Sequence, residues 1–496
     1  MKSKEASDKS ATPVVAKYWS GKFYRQVLGA VTAFLRPKLL SPEYYGVWTL
    51  LKLIPRYASY GHLGTRSALR YLIPFYRGRE DETTTETLRR SGFLFGFIFT
   101  GVLAAGIGAG ALWPAFTMPV RVGLVAMAVL ILLRYYHHFL LSLLKADEAF
   151  GVITRSIYVL VTLTFVATVP LLYLFDIYGI YASVIIAEVG TLCYLRVSYE
   201  FARGGSFDWS ALMELLKKGF PIIILNLAIA LVTTCDRIVV GAMLGKEALG
   251  YYGIAIMGFA FLIEIPGTAR SVMEPRLMRT IERRDPADIV EDYLISPLFN
   301  TAYLLPFLIG PAFLAMEAGV SLLLPRYLPG VPAARTLALG VPLLGLAYVP
   351  RMLIIARNWQ LGVCWRLPPV LAVNVVLGVL LVKNGYGLFG IALATIIAFG
   401  LLFLILFAFL RDRLGSATMP GRFWILSLIL PIFLMCGLIT ALMIALPPLF
   451  PHMYLRAGLS VGAYVAVYWI FYNIAAARTD VLTPLTIRSL LWKISD

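Results

Sequence analysis

The chain has 496 residues, 59% of them hydrophobic and only 14% charged, with a net charge of +17. Soluble domains carry about 25% charged residues, so a soluble enzyme and a disordered chain are both excluded. The cationic surplus is read against a membrane rather than a nucleic acid.

The N-terminal stretch MKSKEASDKSATPVVAK is polar and basic and lacks the apolar core of a signal peptide. Apolar stretches of about 20 residues then recur along the chain. They cover about 20–40, 43–65, 91–113, 119–141, 152–174, 177–198, 219–241, 248–272, 293–315, 334–356, 361–382, 386–410, 423–446 and 455–476. With the N-terminus inside, 26 of the 44 Lys and Arg fall in inner segments, 8 in outer segments and ten within or beside spans. That bias predicts both termini in the cytoplasm and an even number of spans.

The widest break is RGGSFDWSALMELLKKG, residues 203–219. Asp208 is suited to cap a short interfacial helix and Gly219 to end it. RLMRTIERRDPADIVED predicts a second interfacial element, and the Pro-rich 316–333 a fold-back on the outer side.

A shift of 204 residues sets Glu43, Gly46 and Trp48 on Glu247, Gly250 and Tyr252, and Arg66-Ser67 on Arg270-Ser271. A shift of 208 sets Tyr178-Gly179-Ile180-Tyr181-Ala182 on Tyr386-Gly387-Leu388-Phe389-Gly390. Both argue for an internal duplication. The expected organisation is an N-terminal lobe (1–202), an interfacial linker (203–218), a C-terminal lobe (219–411), and two appended spans with a tail (412–496). The expected fold is an all-α polytopic membrane protein with about fourteen transmembrane helices in two pseudo-symmetric lobes around a central cationic cavity.

Span 2 concentrates charge. Lys52, Arg56, Ser59, Leu63, Arg66 and Arg70 follow at spacings of three and four, which on one helix makes a cationic stripe. A cation at mid-bilayer costs about 2.5–3.5 kcal/mol on insertion scales, so the stripe should meet water or anions. Lys22 and Arg25 mark a similar face of span 1; its repeat partner, span 7, carries Asn226 and Arg237. Arg270 and Arg351 add cations from spans 8 and 10. Guanidinium forks fit phosphate oxygens. The reading is therefore a phosphate-binding set of Arg25, Lys52, Arg56, Arg66, Arg70 and Arg270, with Lys22, Asn226, Arg237 and Arg351 as further cavity groups. Glu188, Asp236 and Glu264 are candidates for a coupling H⁺ or Na⁺, and Glu188 and Glu264 serve equally well to neutralise an arginine. Asp236-Arg237 also reads as a local charge pair at the outer interface, and Arg134–His138 as the inner end of span 4. The cysteines (Cys193, Cys235, Cys364, Cys436) and histidines (His62, His137, His138, His452) show no metal or redox spacing. No cofactor, metal or catalytic residue is expected.

The stretches LLSPEYYGVWTLLKLIPRYASYGHLGTRSALRYLIP and CDRIVVGAMLGKEALGYYGIAIMGFAFLIEIPGTARSVMEPRLMR resemble Wzx-type O-antigen and polysaccharide flippases. The matching positions are Asp236-Arg237, Leu249-Gly250-Tyr251-Tyr252 and Pro275-Arg276. Fourteen spans in two lobes are similar to the wider multidrug, oligosaccharidyl-lipid and polysaccharide exporter superfamily. The resemblance implies movement of an undecaprenyl-diphosphate-linked glycan from the inner to the outer leaflet of the bacterial cytoplasmic membrane, driven by a H⁺ or Na⁺ gradient. Membrane lipids are expected partners and a polysaccharide polymerase is a further candidate; no nucleic acid is expected, and the sequence shows no soluble interaction domain, so a monomer is expected. A lipid II flippase or a multidrug cation antiporter is the alternative. The antiporter reading expects a carboxylate-dominated cavity. A membrane glycosyltransferase would need a large outer loop or an acidic inner motif, and neither is found.

Overall fold

The computed structural model describes residues 2–201, 204–281, 284–414 and 422–478. The helices are α1 (Lys2–Leu39), α2 (Pro42–Leu51), α3 (Leu53–Ala58), α4 (Thr65–Arg77), α5 (Glu82–Gly110), α6 (Met118–Ala146), α7 (Phe150–Ser198) and α8 (Trp209–Val232). They continue as α9 (Cys235–Met243), α10 (Gly245–Thr280), α11 (Pro286–Val290), α12 (Ser296–Leu323), α13 (Val331–Leu339) and α14 (Val341–Ala356). The last are α15 (Gln360–Cys364), α16 (Pro368–Lys383), α17 (Gly387–Leu414), α18 (Arg422–Ala445) and α19 (Met453–Arg478). No strand occurs among the described residues.

Among the described residues, eleven helical stretches are long and apolar enough to cross a membrane. One of them, α7, contains two expected spans. Its backbone reverses at Asp176 (φ 48°, ψ −130°). Thr168 Oγ1 then donates to Ser183 Oγ at 3.2 Å, and a Cβ on Gly190 would meet Leu163. Pairs equally spaced about the turn make α7 an antiparallel hairpin. Gly179 closes it, because a Cβ there would lie 2.0 Å from the Leu171 carbonyl oxygen. Spans 1 and 2 fall in α1 and α2–α4, outside the eleven. Residues 423–427 of span 13 lie in α18, where only the backbone is described.

The chain divides into two compact units, residues 1–229 and 230–496. In the first, α1 runs parallel to the leading leg of α7. Ser20 Oγ meets Tyr158 Oη at 2.8 Å, and one turn on Tyr24 Oη meets Thr162 Oγ1 at 2.9 Å. Leu69, Leu72, Leu88, Leu144, Leu195 and Leu215, from α4 through α8, belong to one buried core of this unit. At about 1.5–3 kcal/mol for each fully buried side chain, such packing holds the polar groups nearby in place.

Two expectations about local structure are corrected. Span 2 is not one helix. Lys52 ends α2, Leu63 and Gly64 take left-handed backbone (φ 44° and 97°), and α4 starts afresh at Thr65. The cause is contact with α8: a Cβ on Gly64 would stand 2.1 Å from the Gly219 carbonyl carbon. His62 is buried there, and its Nδ1 accepts from the Gly64 amide at 3.0 Å. Gly219, in turn, does not end a short helix. It lies inside α8, which runs on to Val232, and its missing side chain admits Gly64. Asp208 does cap α8, accepting from the Ala211 amide at 3.0 Å. Its own amide donates to Ser91 Oγ at 2.9 Å, tying the preceding strap to α5.

In the second unit the segment expected to fold back is helical to Leu323, then makes a tight turn over residues 325–330. The element expected between spans 8 and 9 is the short α11, running through a π-turn into α12. The repeat copy of span 2 is continuous here, as the 36-residue α10.

Candidate functional site

In the first unit a cavity of about 250 Å³ opens among α3, α4, α5 and α6. Arg56 of α3 and Arg66 of α4 both line it, despite the break between their helices. Across the turn at residues 59–64, both cations still face this one cavity. Arg134 and His138 enter from α6, and Thr100 from α5. Among the described residues, Arg56 and Arg66 have no carboxylate within ion-pairing distance. Thr100 is 1% exposed, and its Oγ1 has no hydrogen-bond partner among the described residues. A buried unpaired hydroxyl costs about 1–3 kcal/mol, so Thr100 is poised for a polar occupant.

Arg134 has a different setting. Its Nε donates to Glu188 Oε1 at 3.1 Å, while Glu188 Oε2 is hydrogen-bonded to His137 Nδ1 at 2.7 Å. Glu188 is 5% exposed. It therefore partly neutralises and fixes Arg134, leaving the cavity net positive. Tyr135 closes the wall: its Oη donates to the Phe93 carbonyl at 2.9 Å.

The cationic field extends past the cavity. Lys145, on α6, stands in the field of Arg70, Arg66, Lys22 and Arg25. Cations from α1, α4 and α6 thus converge, although Arg25 and Arg70 are exposed and do not line the cavity. Lys52 lies 5.9 Å from the Tyr45 ring and is also outside it.

The remaining predicted residues are placed elsewhere. Asn226 is half-buried on α8. In the second unit Asp236 and Arg237 form a local pair, 2% and 7% exposed, with Nε–Oδ1 at 3.8 Å. The Asp236 carboxylate also accepts from Tyr252 Oη at 2.8 Å and from the Arg237 amide at 2.8 Å. Asn374 donates to the Val232 carbonyl at 2.9 Å and accepts from Thr395 at 3.3 Å. Arg270 lies 5.1 Å from the Tyr348 ring. Arg351 is half-buried on α14, and Glu264 is exposed on α10. No cluster of three metal-ligating side chains occurs among the described residues.

Sequence reasoning missed Arg134, His138 and Thr100 as cavity groups. A signal existed for two of them. Ile131, Arg134, Tyr135 and His138 all line the cavity, and their spacing is one face of a helix. Thr100 carries no such signal in a run of small apolar residues.

The sequence profile of a family described as "Polysaccharide biosynthesis protein" matches residues 37–332. The chain belongs to this family. No curated relative matches it. Among solved structures, this chain is similar to the lipid II flippase MurJ in an inward closed conformation. That likeness has a TM-score of 0.65 at 16% identity, over 92% of this chain and 99% of that one. It is also similar to an inward-facing MATE family transporter of the MOP superfamily, with a TM-score of 0.63 at 15% identity, over 80% and 96% of the chains. A eukaryotic MATE transporter follows at 0.55 and 11%, over 84% and 100%. The family member therefore has the fold of polytopic membrane transporters.

Proposed function

We propose that this chain is a flippase carrying a polyprenyl-diphosphate-linked oligosaccharide from the inner to the outer leaflet of a bacterial cytoplasmic membrane, with both termini cytoplasmic. The observation that carries the reading is the cavity holding Arg56 and Arg66 without a carboxylate partner, beside Arg134 and Thr100. A multidrug cation site would have the opposite sign. The volume, about 250 Å³, is below the roughly 300–1,000 Å³ of drug-sized pockets. It suits a diphosphate group, with sugars and polyprenyl tail outside. Lys22, Arg25, Arg70 and Lys145 would draw the anion toward it through their summed field. Membership of a polysaccharide biosynthesis family supports a glycan as cargo.

Alternating access needs an energy source. Of the three carboxylates considered for coupling, Glu188 is engaged by Arg134 and His137, and Glu264 is exposed. Asp236 shares a long 3.8 Å pair with Arg237 and lies in a buried oxygen-rich network with Tyr252, Asn374 and Thr395. We assign coupling to Asp236; Asp236→Asn should lower stability, because it removes a partner of the buried Arg237, and the folded fraction should bind cargo but lose gradient-driven transport.

Binding tests the anion site directly. Purified protein should bind a short-chain polyprenyl diphosphate, and Arg56→Ala should weaken this about tenfold or more, as expected for one lost charge-assisted contact of about 1.5–3 kcal/mol. Unchanged binding by a folded Arg56→Ala protein would remove the diphosphate from this cavity.

A further inference from the structure

A second cavity in the first unit, about 340 Å³, is separate from the one holding Arg56 and Arg66. It lies where α5 begins and α7 ends, the charged margin of both helices. Its polar wall is Arg89 and Arg90 of α5, Arg196 of α7 and Tyr136 of α6. Its apolar wall is Phe139, Leu140 and Leu143.

Three features say what belongs there. Arg196 lies over the Tyr136 ring at 5.1 Å and near the Phe201 ring at 5.9 Å, so aromatic stacking holds its guanidinium in place. Tyr136 Oη is buried and has no hydrogen-bond partner among the described residues. Among the described residues, Arg90 and Arg196 have no carboxylate within ion-pairing distance. Asp147 is taken by Arg77 and by Tyr199 Oη at 2.8 Å, and the Glu86 carboxylate lies against Gly204 at the rim. The Arg90 and Arg196 guanidiniums and the buried Tyr136 hydroxyl above an apolar floor match a phosphodiester that has hydrocarbon attached. A soluble phosphate compound would leave the floor unused.

We propose that this cavity is a binding site for the headgroup of an anionic phospholipid, with its acyl chains lying along Phe139, Leu140 and Leu143. The proposed cargo site is different: it draws Arg134 and His138 from α6, whereas this one draws Tyr136 and Leu140. The two share a partition, because Phe93 of this cavity accepts the Tyr135 hydroxyl of the other. An occupant here therefore braces the helix that presents Arg134.

The test is native mass spectrometry of the purified full-length chain, titrated with dioleoyl phosphatidylglycerol, dioleoyl phosphatidylcholine and inorganic phosphate. The wild type should retain one phosphatidylglycerol in preference to phosphatidylcholine. Arg90→Gln with Arg196→Gln, both exposed positions, should weaken that retention about tenfold or more. Tyr136→Phe removes only a hydroxyl and should weaken it less, so it serves as the test if the double variant does not fold. Arg56→Ala should leave phosphatidylglycerol retention unchanged while losing polyprenyl diphosphate, which separates the two sites. Equal retention of both lipids, or retention unaffected by either set of variants, would overturn the proposal. Displacement of the lipid by inorganic phosphate alone would overturn it in favour of a soluble phosphate ligand.

Discussion

Arg56 and Arg66 differ from the other cations in what surrounds them rather than in charge. Both line a cavity, and neither has a carboxylate neighbour among the described residues. A bidentate fork matters there, so Arg56→Lys should recover only part of the diphosphate affinity that Arg56→Ala loses, measured in the same titration. Arg134 depends on Glu188, a buried acid shared with His137. Glu188→Ala should destabilise the protein by about 1–3 kcal/mol, because it leaves a cation and an imidazole short of their partner. A thermal midpoint in detergent indistinguishable from wild type would show that the trio carries no structural load. Two of the cavity's groups were legible in advance: charged side chains in an apolar run are costly enough to stand out, which flagged Arg56 and Arg66, while Arg25, Lys52, Arg70 and Arg270, flagged on the same ground, lie outside it. The role of Arg134 was not, since a cation near a span end looks the same whether it faces headgroups or a cavity.

The break between α3 and α4 is an element-scale feature with a one-residue cause. Gly64→Ala meets both a left-handed backbone and the Gly219 main chain, 2.1 Å from the new Cβ. It should cost more than the roughly 1–3 kcal/mol of backbone strain alone. Gly219→Ala has helical backbone but the same collision, and should also lower the folded yield; a normal yield for both variants would deny the contact. Spacing alone read residues 43–65 as one helix, because periodicity reports which positions share a face and not whether a neighbour interrupts it. Helix starts were more legible. Asp208 caps α8, and its carboxyl is held below the usual range by the Ser210 hydroxyl and then the Ala211 amide. Asp81 caps α5 in the same way through the Thr84 side chain and amide. With folded values depressed, both caps contribute fully above the ordinary carboxylate range, and the contribution disappears as pH falls through the depressed values. The difference in thermal midpoint between wild type and Asp208→Ala should thus be constant from pH 8 to about 5 and close in stronger acid. A difference independent of pH would place the effect elsewhere.

At the scale of the molecule, hydropathy and length were the strongest signals. Eleven helical stretches, the hairpin within α7, and the polar α1 and broken α2–α4 account for the fourteen expected spans. The hairpin's turn at Asp176 falls between the apolar stretches 152–174 and 177–198, and the Tyr178-Gly179 beside it recurs as Tyr386-Gly387, where α16 turns into α17. The asymmetry of the repeat could not be read in advance, since Gly64 is single while its counterpart in α10 lies in continuous helix. The Lys and Arg bias predicts that reporters fused at either terminus are active only in the cytoplasm, and that a reporter fused near Lys383 is active only outside. The central claim, that cations of the first unit take a lipid-linked diphosphate across the membrane, is tested most directly in a bacterium lacking this gene. Its membrane lipids would be extracted and searched by mass spectrometry for a polyprenyl-diphosphate oligosaccharide. Accumulation of one such species, cleared by the wild-type chain but not by a well-expressed Arg56→Ala chain, is the expected result. No accumulation, or clearance by both chains alike, would contradict the account.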